Sequence, residues 1–286
     1  MSYTLTSIEH LDLYSNEVLE DPYPAFRRLR ELGPAVWMPK HQAYAIPRYR
    51  PLRRVLADYE TFSSAQGVSL SESANRMMAG TVLATDPPGH DCLRRVLAEE
   101  LGPHALRRIS NDMQKQADVL VDKLCERKTF DAVHDFARVF PLSVVVDLIG
   151  LPEEGRDQLL DWADATFNTF GPENQRAVNA GEKVAAMMAY AFQTAVPGNL
   201  RPGSMGAAIY AAAERGILRE EQCGTLMTAY LTGGLDTTII LWATRFSYLE
   251  SIPNSGKYSA MILHLYPVPT LRSCAMSRRC TGSRVT

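Results

Sequence analysis

Residues 229–243, AYLTGGLDTTIILWA, place an aspartate and two threonines one residue after two glycines within an otherwise apolar run. Glycine destabilises a helix interior by about 1 kcal/mol relative to alanine, and a buried carboxylate is costly unless it is paired or neutralised. A defect of this cost calls for a functional explanation. A structural interpretation is also open, in which Gly233 and Gly234 end one helix and Asp236 or Thr237 caps the next.

A second pattern with chemical potential is the stretch DPPGHDCLRR. Its Pro-Pro turn precedes a predicted helix that carries His90 and Arg94 four positions apart, and therefore on one face. Two basic side chains with this spacing can bind an anion. The alternative is an ordinary solvated face, and this stretch alone does not decide between the two.

Together and in this order, DPPGHDCLRR and, about 140 positions later, GGLDTT resemble the cytochrome P450 superfamily in its soluble bacterial form. The stretches DPYPAFRRLRELGP, YETFSS and FPLSVVVDLIGLPEE add to the resemblance, which extends over residues 12–239. It implies a mainly α fold: the N-terminal and central part of the cytochrome P450 fold, helices with a small β unit, without the proximal haem-binding region.

The resemblance implies a haem b cofactor and a role for each residue of both patterns. The interrupted helix would cross the distal face of the haem, where Gly233 and Gly234 let the backbone approach the bound dioxygen. Thr237 would donate a hydrogen bond to that dioxygen, and Asp236 would relay protons to it. His90 and Arg94 would bind a haem propionate.

Two further stretches, FSSAQGVSLSES and ATFNTFGPENQ, are similar to the bacterial P450 group that oxidises para-substituted benzoates. This similarity implies hydroxylation or O-demethylation of a small aromatic substrate, with electrons from a ferredoxin-type partner. The candidate substrate contacts are Gln66, Ser69, Ser71, Phe167 and Phe170. The loop has no arginine with which to hold a substrate carboxylate, so a neutral aromatic is the alternative substrate.

P450 chemistry requires a cysteine thiolate ligand to the haem, which the superfamily supplies from a Phe-Gly-Gly-His-Cys-Gly type loop. Cys274 and Cys280 follow the distal helix, but neither is preceded by the Phe and Gly of that loop, so no metal ligand is assigned. From Leu241 onward the chain carries six Lys or Arg residues and one acid. We therefore expect a partial P450 domain over residues 1–240 and an aberrant basic, disordered tail over residues 241–286.

This division indicates a truncation or frame shift, and hence a defective fragment of a monooxygenase. The alternative function is that of a non-catalytic helical protein whose basic tail binds an acidic partner. The two differ in cofactor, because only the fragment derives from a haem-binding ancestor.

Composition restricts the other classes of function. A net charge of -2 over 286 residues gives no overall bias toward nucleic acid, and a hydrophobic fraction of 46% allows a large core. Residues 223–243 are long enough to span a bilayer, but Asp236 and five threonines favour a core helix, so no membrane is expected. With no signal peptide pattern at the N-terminus, the expected location is the cytoplasm.

Local patterns predict the elements around the candidate sites. An amphipathic stripe predicts a helix with Phe26, Leu29 and Leu32 on one face, and a second with Leu52, Val55 and Leu56 turned inward. Residues 39–42, between two alternating runs, predict a hairpin turn.

Overall fold

The computed structural model describes residues 6–127, 129–251 and 284–285. The helices are α1 Asn16–Glu20, α2 Tyr23–Leu32, α3 Tyr49–Ala57, α4 Glu72–Met78, α5 Gly89–Glu99, α6 Pro103–Glu126, α7 Val139–Ile149, α8 Leu159–Asn168, α9 Gln175–Ala189, α10 Met205–Glu214, α11 Glu220–Gly234 and α12 Asp236–Ser251. The strands are β1 Thr6–Ser7, β2 Val36–Met38, β3 Ala43–Ala45, β4 Thr129–Phe130 and β5 Arg284–Val285. Short π-helical segments, Ala132–Ala137 and Tyr190–Thr194, precede α7 and follow α9.

The chain divides into two compact units. Unit 1 comprises Met1–Asp91 and Ala165–Glu182, and unit 2 comprises Cys92–Asp164 and Lys183–Thr286. Within the described ranges, no helix combines the length and the hydropathy that a membrane crossing requires.

Unit 1 contains the small β unit expected from the sequence. Strand β1 pairs in parallel with β2, and β2 pairs antiparallel with β3. A single 3-10 turn, Pro39–His41, connects β2 to β3, and Gln42 completes the connection in the left-handed conformation at φ 49°. The predicted hairpin is therefore confirmed.

The sequence predicts the positions of the two amphipathic helices of unit 1 correctly, but it does not predict the burial of their apolar side chains correctly. Helix α2 buries Leu29 as expected, but Phe26 is 41% exposed. On α3, Leu52 is 39% and Leu56 is 77% exposed, so the prediction that they point inward is wrong. Amphipathic spacing defines a common face, but it does not determine whether another element covers that face.

Unit 2 is built around an apolar cluster of α6, the first π-helical segment and α7. Its buried members are Ala117, Val121, Leu124, Phe130, Ala132, Phe136, Phe140 and Val144. Strand β4, which contributes Phe130, pairs in parallel with β5. Helix α7 ends at Gly150, whose φ of 77° is a left-handed conformation that glycine adopts without strain.

Helix α12 corrects the expected start of the tail. We predicted a disordered segment from residue 241, yet α12 continues to Ser251. The Trp242 and Phe246 rings lie 5.2 and 5.7 Å from the Phe136 ring, centroid to centroid. The charge count overlooked this aromatic pair, which has helical spacing and packs on the core. The division at residue 240 stays a prediction, and residues 252–283, with Cys274 and Cys280, lie outside the described residues.

Candidate functional site

The predicted interruption of the distal helix lies at Leu235. Helix α11 ends at Gly234 and α12 begins at Asp236, so one residue separates them. Leu235 is fully buried, and its carbonyl accepts hydrogen bonds from the N–H groups of Thr238 (3.2 Å) and Ile239 (3.1 Å). The chain therefore re-enters a helix at once. The glycine pair and the β-branched run after it both lower helix propensity, which explains a break at this point.

Thr237 does not cap α12. Its Oγ1 donates a hydrogen bond back to the Gly233 carbonyl oxygen at 2.7 Å, and Thr232 bonds the Thr228 carbonyl oxygen in the same way at 2.8 Å. Such bonds from threonine to the preceding turn often bend helices. Asp236 is the first residue of α12, where the helix dipole favours a negative charge.

The break has one buried and one open side. Leu231 and Leu235 are buried, whereas Gly233 and Thr237 are exposed. A Cβ added to Gly233 would meet no atom within 4 Å, but one added to Gly234 would lie 3.0 Å from Val145 Cγ2. The expectation of a core helix is therefore wrong at Gly233 and Thr237, because the described residues of unit 2 cover only the opposite side.

Asp236 lies at the edge of this open side and is partly buried. Burial raises the pKa of its carboxyl group, the nearby negative charge of Asp164 raises it further, and the positive charge of Arg138 lowers it. The net pKa is above the ordinary value for an aspartate. A carboxyl group with a raised pKa, next to a hydroxyl, can hold a proton and release it to a neighbour.

Helix α5 carries the two predicted propionate ligands one turn apart. His90 Nδ1 lies 3.3 Å from Asp91 Oδ1, within unit 1. Arg94 is exposed and belongs to unit 2. In that unit the Tyr230 hydroxyl of α11 donates a hydrogen bond to the Leu97 carbonyl oxygen of α5 at 3.2 Å.

The same contact brings the charge of Arg94 close to α11. Burial and the negative charge of Glu100 raise the pKa of Tyr230, while the charge of Arg94 lowers it. The positive charge of Arg94 therefore lies near α11, the helix that ends at the break. A site for an anionic group requires such a cation.

The predicted substrate contacts all lie in unit 1, where the hydroxyl groups of the two serines are bonded to other protein groups. Ser69 Oγ donates to the carbonyl oxygens of Thr169 (3.0 Å) and Phe170 (3.1 Å). Ser71 is buried, and its Oγ caps α4 by accepting from the Ala74 N–H at 3.3 Å. Ser71 Oγ also lies 3.1 Å from Glu173 Oε1. The role of both serines in substrate binding stays a prediction.

The remaining contacts are partly open. Gln66 is exposed, Phe167 is 40% exposed, and the Phe167 and Phe170 ring centroids are 5.8 Å apart. Phe170 packs against the buried cluster of Ala74, Met78 and Ala84. Sequence reasoning missed Glu173, because its contacts with Ser71 and Ser73 join segments about a hundred positions apart and its immediate neighbours carry no signal for them.

The residues around the break fit a flat, anionic cofactor in two respects. The open side at Gly233 leaves room for a planar group, and Arg94 supplies a cation in the same unit. Among the described residues, no group of three His, Cys, Asp or Glu side chains could hold a metal ion. A cleft of about 380 Å³ between α6 and α7 is lined by none of the predicted site residues.

Comparisons with known proteins identify the class. The chain is 37% identical over 233 residues to cytochrome P450 CYP199A2 of Rhodopseudomonas palustris, covering 80% of this chain and 57% of that protein. It is 28% identical over 177 residues to cytochrome P450(MEG) of Priestia megaterium, covering 60% of this chain and 43% of that protein. No protein-family model matches the chain.

Solved structures agree on the fold. The chain superposes on full-length CYP116B46 from Tepidiphilus thermophilus with a TM-score of 0.72 at 17% identity, covering 88% of this chain and 36% of that chain. It superposes on CYP109E1 from Bacillus megaterium, solved with testosterone, with a TM-score of 0.68 at 21% identity, covering 87% and 64% respectively. The chain belongs to the cytochrome P450 superfamily, with the N-terminal and central part of that fold. It spans 57% of the length of the Rhodopseudomonas palustris relative and 43% of the length of the Priestia megaterium relative.

Proposed function

We propose that this chain supplies the distal side of a haem-thiolate monooxygenase, an oxidoreductase that inserts one oxygen atom from dioxygen into a small aromatic substrate. The observation that carries the proposal is the open side of the α11–α12 break, where Gly233 and Thr237 are exposed beside the partly buried Asp236. When bound, haem b would supply the chemistry that activates dioxygen. Gly233 would face it, and Arg94 and His90 would hold its propionate groups.

Residues of this chain would then take up and transfer the protons that the reaction needs. Because its pKa is raised, the Asp236 carboxyl group takes up a proton more readily than an ordinary aspartate. The Thr237 hydroxyl, which donates to the Gly233 carbonyl oxygen, can turn its proton toward the open side by giving up that bond. Asp236 would transfer protons toward the open side of the break, and the Thr237 hydroxyl would orient the hydrogen bond through which they pass.

The substrate would lie against Phe167 and Phe170, with Gln66, Ser69 and Ser71 as polar contacts. Because Ser69 and Ser71 already bond protein groups, each would have to rearrange a bond or accept one from the substrate. The loop has no arginine, so a neutral aromatic fits as well as a benzoate. A ferredoxin-type protein would supply electrons, and the cytoplasm is the proposed location.

The test uses a chimera, because the superfamily's thiolate loop is absent from this sequence. Residues 1–239 are joined to the C-terminal region of the Rhodopseudomonas palustris relative, reconstituted with haem, and supplied with a ferredoxin and para-methoxybenzoate or neutral para-methoxytoluene. Thr237→Ala and Asp236→Asn should each slow demethylation by roughly 100-fold, the usual scale of acid–base catalysis. Asp161→Asn, at an exposed carboxylate of α8, is the control.

Two outcomes would count against the proposal. If the chimera binds haem but oxidises neither compound, the proposal of a small aromatic substrate is wrong. If the variants at 236 and 237 match the Asp161→Asn control, the assigned proton route is wrong. We also expect the 286-residue chain to show no thiolate-type Soret band under carbon monoxide, because Cys274 and Cys280 lack the flanking Phe and Gly.

A further inference from the structure

A seam of hydrogen bonds in unit 1 joins two segments that lie about a hundred positions apart in the sequence. The Leu70 N–H donates to the Phe170 carbonyl oxygen at 3.3 Å. Ser69 Oγ is shared between the carbonyl oxygens of Thr169 and Phe170, at 3.0 and 3.1 Å. The loop before α4 therefore lies along the segment that follows α8.

The seam ends in a carboxylate. Glu173 Oε1 lies 3.1 Å from Ser71 Oγ and 3.1 Å from Ser73 Oγ, and the two hydroxyl oxygens are 2.8 Å apart. Hydrogen bonds from Ser73 and then Ser71 lower the pKa of the Glu173 carboxyl group, and the charge of Arg76 lowers it further. Hydrogen bonds to an ionised acceptor are stronger than neutral ones, so Glu173 is the strongest acceptor of the seam.

The loop that Glu173 holds is stiff within itself. Asn75 Oδ1 accepts from the N–H groups of Val68 (2.9 Å) and Ser69 (2.8 Å), and Asn75 Nδ2 donates to the Ser69 carbonyl oxygen at 2.9 Å. Gly67 has φ 132°, and a Cβ there would lie 2.3 Å from Asn75 Cγ. Because these bonds tie the loop to Asn75 of α4, we expect its attachment at Ser71 and Ser73 to influence where Gln66 and Ser69 lie.

We propose that Glu173 is a positioning residue: by accepting hydrogen bonds from Ser71 and Ser73, it holds residues 66–73 against residues 169–173. That these residues contact substrate rests on the function proposed above, whereas the positioning itself does not. Loss of the carboxylate leaves only the bonds of Ser69 and Leu70 to backbone carbonyl oxygens, so the loop opens more often.

The test is amide hydrogen exchange of residues 66–75 in the full chain. Glu173→Ala should speed this exchange about tenfold, as expected for the loss of charge-assisted hydrogen bonds, and Glu173→Gln should give a smaller increase because it keeps an acceptor oxygen. Ser73→Ala should speed it as well, while leaving Ser71 as the cap of α4. Glu182→Ala, at an exposed carboxylate of α9 in the same unit, should leave it unchanged.

The pH dependence separates positioning from a general structural role. Wild-type protection factors for residues 66–75 should fall when acid protonates Glu173, whereas those of Glu173→Gln should not change over the same range. Unchanged exchange in Glu173→Ala, or an equal effect of Glu182→Ala, would overturn the proposal.

Binding measurements with para-methoxybenzoate and para-methoxytoluene as probes keep the two proposals distinguishable. If neither probe binds the wild-type chain while Glu173→Ala still speeds exchange, the substrate assignment fails and the positioning role is supported. If either probe binds and exchange is unaffected by Glu173→Ala, the positioning role is wrong and the substrate assignment stands.

Discussion

Alanine substitution of the two adjacent glycines at the break should have opposite effects on stability. A Cβ at Gly233 meets nothing within 4 Å, so Gly233→Ala should gain most of the helix propensity difference, about 0.5 to 1 kcal/mol. A Cβ at Gly234 lies 3.0 Å from Val145 Cγ2, a contact that forces the valine to shift. Overpacking of this kind costs about 1 to 3 kcal/mol, which exceeds the gain in propensity.

The assay is denaturant unfolding of the full chain and both variants, followed by circular dichroism. Gly233→Ala should raise the free energy of unfolding and Gly234→Ala should lower it. The reasoning is refuted if Gly233→Ala destabilises the chain, or if the two variants shift the midpoint equally in the same direction. A stabilising Gly233→Ala would also show that wild-type glycine at this position sacrifices stability, as expected where function needs a bare backbone.

Three further stability predictions follow from contacts in unit 2. Tyr230→Phe should lower the free energy of unfolding by about 1 kcal/mol, because it removes the hydrogen bond to the Leu97 carbonyl oxygen. Tyr190→Phe should leave the free energy of unfolding unchanged or raise it, because the buried Tyr190 hydroxyl has no hydrogen-bond partner among the described residues. Asp236→Asn should stabilise the chain at neutral pH. Because the pKa of the Asp236 carboxyl group is raised on folding, protonation favours the folded state, and the stability of the wild type falls as the pH rises through that pKa. The variant has no carboxyl group to titrate at position 236, so it should lose this pH dependence. Trp242→Ala should cost about 2 kcal/mol in thermal or denaturant unfolding, because Trp242 packs on Phe136, while an unchanged midpoint would show that α12 beyond residue 240 adds nothing to the core.

Local backbone chemistry made part of the fold predictable. Gly150 ends α7 in the conformation that favours glycine, and the turn at residues 39–42 connects β2 and β3. The glycine pair before Asp236 predicted an interruption, and the interruption lies at the next residue, Leu235. In each case a few neighbouring residues decide the conformation, so the sequence alone carries the information.

Burial and long-range contacts were not predictable in the same way. Leu56 has the spacing of a core residue and is 77% exposed, because burial depends on which other element covers the helix. Glu173 bonds two serines about a hundred positions away, and nothing in its immediate neighbours indicates this. Trp242 was assigned to a tail by the surrounding charge, while its contact with Phe136 depends on tertiary structure.

The central claim is that the open side of the α11–α12 break faces haem. The most direct measurement is the carbon monoxide spectrum of the haem-reconstituted chimera, compared with its Gly233→Phe and Gly181→Phe variants, since a Cβ at either glycine meets no atom within 4 Å. The account predicts a thiolate-type Soret band in the chimera and in Gly181→Phe, and its loss in Gly233→Phe. A band of full strength in Gly233→Phe, or no bound haem in the chimera itself, would contradict it.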